Sequence, residues 1–98
     1  METVEKILED IIRIANPCRV ILYGKKLHVA SEMLKSLDFC IVTTESSKDV
    51  QRKLCLGIDY DLPTNFKVYE KSDWDVLMSD EESYAYLIAQ KGTVLYER

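Results

Sequence analysis

Gly24 is followed by Lys25 and Lys26, and this short run combines residue types that suit phosphate chemistry. A glycine closing an apolar stretch lets backbone amides approach a phosphate closely, and a lysine at the start of a following helix would hold that phosphate as a point charge. The same glycine also serves as a plain structural turn, and the lysines as solvated surface. Glu45, Asp59 and Asp61 fall near the ends of candidate strands, where each is either a cation ligand or a loop carboxylate in water. Cys18, Cys40 and Cys55 are separated by 22 and 15 residues, which matches no zinc spacing, and their odd number suits no disulfide framework. They read as small apolar core thiols. His28 is the single histidine, which excludes a histidine-rich metal site, and it reads as a surface or helix-start residue. Tyr23, Tyr69, Trp74, Tyr84, Tyr86 and Tyr96 are scattered and lack the interleaved basic residues of a base-stacking platform, so core and interface packing is expected of them.

Ninety-eight residues, 47% of them hydrophobic, suffice for one domain spanning 1–98, although a core of this size leaves little surplus stability. A partner subunit would add to it. Lys and Arg together number 13 against 17 Asp and Glu, for a formal charge of −4, and that balance argues against a nucleic-acid binder, which needs a basic stripe. The apolar runs are strand-length and the first residues are charged, so neither a membrane span nor a signal peptide is expected, and the expected location is the cytoplasm.

The elements that must position these residues follow from periodicity. Val4, Ile7, Leu8, Ile11, Ile12 and Ala15 recur at helical intervals, predicting a helix over Thr3–Ala15 with Thr3 as its cap and Asn16-Pro17 as its end. Cys18–Tyr23 reads as a buried strand closed by a turn at Gly24, and Leu37–Thr43 as a second strand. Between them, Leu27, Ala30, Met33 and Leu34 give a thinner helical stripe over Lys25–Lys35. A helix from Ser46 or Ser47 to about Leu56 carries Val50 and Leu54 inward, with Cys55 a further candidate for that face, and Gly57 stops it. Asp59–Pro63 reads as a loop, Thr64–Tyr69 as a strand, Ser72–Met78 as a short capped helix, about Glu81–Gln90 as another, and Thr93–Tyr96 as the last strand. The fold class is α/β (α+β), a mixed sheet of about four strands covered by helices.

Taken in order, these pieces resemble the minimal nucleotidyltransferases of the DNA polymerase β superfamily. Val20-Ile21-Leu22-Tyr23-Gly24 is similar to the strand and glycine turn that open that fold. Asp38, fourteen residues after Gly24, takes the place of the second Asp of the family's Asp-x-Asp strand. Asn65-Phe66-Lys67-Val68-Tyr69, Ser72-Asp73-Trp74, Tyr84–Leu87 and Gly92–Arg98 resemble the later strands and helices, so the likeness covers nearly the whole chain. By that resemblance Lys25 stands where the turn's Ser would be, Ser36 where the first Asp would be, and Asn65 where the third Asp would be. Gly24 and Asp38 alone keep the family's residues, with Asp38 the residual catalytic carboxylate and Gly24, Lys25 and Lys26 the candidate nucleotide contacts.

Family members use two divalent cations, held by converging carboxylates, to neutralise a triphosphate and orient the attacking oxygen. One carboxylate with a hydroxyl and an amide is a poor cage for them, and Lys25 would repel a cation by on the order of a few kcal/mol. The resemblance therefore implies a fold whose metal-dependent reaction is lost: a binding or regulatory subunit, antitoxin-like, paired with a helical HEPN-type partner or with itself. Two other readings stay open, an active transferase moving a nucleoside monophosphate from ATP with rearranged ligands, and a metal-independent nucleotide-binding module. No cofactor is expected in the first reading, and Mg2+ with ATP belongs to the enzyme reading alone.

Overall fold

The structure is a computed structural model that describes residues 2–27, 34–58 and 63–98. Helix α1 (Glu2–Ala15) turns Val4, Ile7, Ile11 and Ala15 into the core, the stripe its spacing predicts. It begins ahead of Thr3, which lies inside the helix and is not its cap. Asn16 ends it in the left-handed region at φ 45°, a conformation asparagine tolerates better than most residues. The Arg98 guanidinium donates to the Asn16 carbonyl at 3.0 Å and so ties down that corner.

Strands β1 (Arg19–Leu27) and β2 (Leu34–Thr43) pair antiparallel, from Arg19 with Val42 to Leu27 with Leu34. This corrects two expectations. Gly24 does not close β1, which runs three residues past it. No helix spans Lys25–Lys35, because Lys25–Leu27 and Leu34–Lys35 belong to the two strands. The helical stripe there is thin, and the long-range ladder with its cross-strand contacts outweighs a weak local preference. His28 lies outside the described residues.

Helix α2 (Ser47–Gly57) carries the chain from β2 to β3 (Thr64–Glu70), which lies parallel to β2, as parallel neighbours require a crossover. Helices α3 (Lys71–Leu77) and α4 (Tyr84–Lys91) follow, and β4 (Thr93–Glu97) returns antiparallel to β1. Among the described residues the sheet order is β3-β2-β1-β4, a mixed four-stranded sheet with four helices, in keeping with the fold class read from the sequence. Helices α1 and α2 cover one face, over Val20, Leu37, Phe39 and Ile41. Trp74 of α3 with Ala85 and Ile88 of α4 cover the other, over Ile21, Cys40 and Val42. Because side chains alternate across a strand, β2 is buried on both sides and reads as a continuous apolar run.

The helix starts depart from the sequence reading in their capping chemistry. Ser46 stands at the N-cap of α2 but makes no side-chain capping bond; the Ser47 amide instead donates to Glu70 Oε2, 3.2 Å away at the end of β3. Ser72 lies within α3, which starts immediately after β3. Ser83, not a residue near Glu81, begins α4, and its hydroxyl accepts from the Tyr86 amide at 3.0 Å. Cys55 is exposed on α2 rather than facing inward, whereas Cys40 is fully buried and all three thiols are free. Among the described residues no helix is long and apolar enough to cross a membrane.

Glu70 thus joins the last residue of an edge strand to the positive end of a helix, a charge-assisted bond that also opposes the helix dipole. Glu70→Ala is expected to lower stability by about 0.5–2 kcal/mol, with Glu70→Gln losing less. The check is the urea midpoint at unchanged m value.

Candidate functional site

The pairing of β1 with β2 shifts register between Leu22 and Gly24, leaving Tyr23 as an extra residue in a bulge. A bulge aims two successive residues of one strand at the same face. Tyr23 packs on the cluster under α3 and α4, and a side-chain carbon on Gly24 would collide with the Asp38 carboxylate on that same side. Glycine at 24 therefore makes room for the side chain of its cross-strand partner. On the other side of β2, Asn65 sits opposite Asp38 in the parallel ladder, and its Nδ2 donates to Asp38 Oδ1 at 2.8 Å. The amide must present its nitrogen here, since its oxygen would face an anion.

Around this centre the sheet and α4 gather aromatic and basic groups. The rings of Tyr23 and Tyr84 meet edge to face at 6.4 Å, and Tyr69 lies against Trp74 at 5.4 Å. Lys67 Nζ stands 5.8 Å from the centre of the Tyr69 ring and 5.9 Å from that of Tyr84, within range of cation–π attraction to both. A cleft of about 300 Å3 opens between the sheet and α4, lined by Tyr23, Asp38, Tyr84, Leu87, Ile88 and Lys91. Burial, with the neighbouring Tyr84 and Asp38, pushes the Tyr23 phenol up to about 12, so it stays protonated and able to donate. Burial likewise raises the Cys40 thiol to about 12 against the opposing pull of Lys67. That thiol is not a nucleophile at neutral pH.

The residues named from sequence are distributed as follows. Gly24, Asp38 and Asn65 converge, each from a different strand, and Ser36 shares the Asp38 face two residues earlier on β2. Lys25 and Lys26 pair with Leu37 and Ser36 inside β1, so neither begins a helix; only their backbone is described. Glu45 is in a solvated turn beyond the far end of β2, roughly 20 Å along the strand from Asp38, and pairs with Lys53 at 3.5 Å. Asp59 and Asp61 lie outside the described residues.

This donor set does not fit a pair of divalent cations. Asp38 is a single carboxylate, one of its oxygens already takes the Asn65 amide proton, and that amide offers nitrogen rather than oxygen. Among the described residues no group of three or more His, Cys, Asp or Glu converges anywhere. Past the bulge, Gly24, Lys25 and Lys26 pair with β2, so this segment is strand and not the free turn of a phosphate-binding loop.

Sequence reasoning missed the convergence of Tyr23, Tyr69, Trp74, Tyr84 and Lys67 on one face. The alternation of Lys67 and Tyr69 on β3 was the available signal, because residues two apart share a side. Compared with protein-family models, with curated proteins and with solved structures, the chain matches none.

Gly24→Ala should cost about 1–3 kcal/mol by overpacking against Asp38, and much of that loss should vanish in an Asp38→Ala background. A urea double-mutant cycle measures the coupling, and additive losses would contradict the packing argument. In thiol titration with an aromatic disulfide at pH 8, Cys55 should react in the native protein and Cys40 only after unfolding. Labelling of native Cys40 would refute the burial assigned to it.

Proposed function

We propose that the chain is a non-catalytic, nucleotidyltransferase-like binding subunit that acts through a protein partner, in the manner of the antitoxin half of a pair with a helical HEPN-type protein. The observation that carries this reading is the Asn65–Asp38 hydrogen bond. At adjacent positions of parallel strands, where the family's chemistry requires converging carboxylates, the amide satisfies the one acid that remains. Two carboxylates at that spacing would repel each other unless a cation or proton lay between them; Asp38 with Asn65 is stable without either. The β1–β2 pairing, which stands where the family has a turn and a helix, points the same way because Gly24, Lys25 and Lys26 lie in a strand and not in a turn before a helix. A partner is supported by the thin stability margin of a 98-residue chain, and Val76 of α3 and Leu87 of α4 are large apolar side chains exposed on one helix layer.

Two measurements test the proposal. Titration calorimetry with ATP is expected to give the same trace with Mg2+ as with EDTA, and a magnesium-dependent binding heat would revive the enzyme reading. Gel filtration of the chain with the product of the adjacent open reading frame is expected to give a co-eluting complex, and separate elution at micromolar concentrations would count against the partner.

A further inference from the structure

The cleft between the sheet and α4 has an acid on one wall and a base on another. Asp38 rises from β2, and Lys91 comes from the last turn of α4. Neither is in an ion pair with any described residue, although both line a space of about 300 Å3. Asn65 engages Asp38 at Oδ1, and Oδ2 lies against Gly24, in the space that a side chain there would fill. The walls between the two charges are apolar: the rings of Tyr23 and Tyr84, set edge to face, with Leu87 and Ile88. Lys67, within cation–π range of the Tyr84 ring, adds positive potential on the same sheet face, opposite Cys40 in the ladder and two residues along β3 from Asn65.

From this arrangement we infer that the cleft binds a small zwitterion with an apolar body, of the chemical class of an aromatic or branched aliphatic α-amino acid. Its ammonium group would sit at Asp38, its carboxylate at Lys91, and its side chain between Tyr84 and Leu87. The size suits such a ligand, since about 300 Å3 is the lower end of small-molecule sites. The charge pattern selects it over simpler ions. A polyanion would meet Asp38 on one wall, and a simple cation would leave Lys91 unanswered. Asp38 is half-buried and Lys91 exposed, so each contributes a water-screened attraction, and a ligand that lacks either end forgoes one of the two. This inference is independent of the proposed partner subunit, which could fail without affecting it.

The test uses the full chain and three probes that share one ring: L-phenylalanine, 3-phenylpropionate, which lacks the ammonium, and phenethylamine, which lacks the carboxylate. Saturation-transfer NMR and calorimetry are expected to show phenylalanine binding, with each truncated probe weaker by about two- to fivefold. Asp38→Asn should weaken phenylalanine and abolish its advantage over phenylpropionate. Lys91→Met, on the exposed end of α4, should abolish its advantage over phenethylamine, and circular dichroism confirms that each variant is folded. Equal binding of all three probes, no phenylalanine binding at millimolar concentration, or preferences unchanged in the folded Lys91→Met variant would overturn the inference. Metal-free ATP binding more tightly than phenylalanine would assign the cleft to a nucleotide instead and equally overturn it.

Discussion

The antiparallel ribbon of β1 and β2 is the constraint on which the remaining structure rests. Its residues alternate between two buried clusters, Val20, Phe39 and Ile41 toward α1 and α2, and Ile21, Cys40 and Val42 toward α3 and α4. Each outer strand hydrogen-bonds to one member of the ribbon, and each helix layer covers one of its faces. A shift of one residue between β1 and β2 would exchange the two faces, so the register must be strongly specified. The bulge at Tyr23 is the local exception, and it is also where polar chemistry reaches the surface. Toward Arg19 the ribbon is packed on both sides; past Gly24, the Asp38 face opens into the cleft beside α4.

That opening explains why the polar groups are arranged as they are. A carboxylate beside a sheet needs donors, space and some contact with water. Asn65 supplies a donor from β3, Gly24 supplies space from β1, and the cleft supplies the contact with water. The resulting contact is complete without a metal ion. Cys40, one step further along β2 on the same face, is already under α3 and α4 and chemically silent. The transition from inert core to reactive surface thus takes two residues of one strand.

Much of the scaffold could be read from the sequence, because it is written in local periodicity. The four buried positions of α1, the apolar run of β2 and the inward pair Val50 and Leu54 of α2 all follow from spacing. The site was legible in part. Gly24, Asp38 and Asn65 can be singled out, but fourteen residues separate a glycine from an aspartate equally well when a helix joins two strands and when a hairpin brings them face to face. Only the long-range pairing distinguishes the two, and the thin stripe over Lys25–Lys35 pointed to the wrong one. The cap that Glu70 offers α2 spans 23 residues and has no local signature. The aromatic convergence was hidden for the same reason, since Tyr23, Tyr69 and Tyr84 come from β1, β3 and α4.

Asn65 gives Asp38 a neutral donor where a second carboxylate would need a cation. Restoring that carboxylate as Asn65→Asp tests it most directly, by urea denaturation in EDTA as a function of pH. Two adjacent acids raise the pKa of the pair, so the penalty is present above that raised value and disappears as the pH falls through it and one proton is shared. The predicted result is a loss of about 1 kcal/mol at pH 7 that is recovered in mild acid. An unchanged midpoint at pH 7 would contradict the account, because the amide at 65 would then contribute nothing that a carboxylate could not.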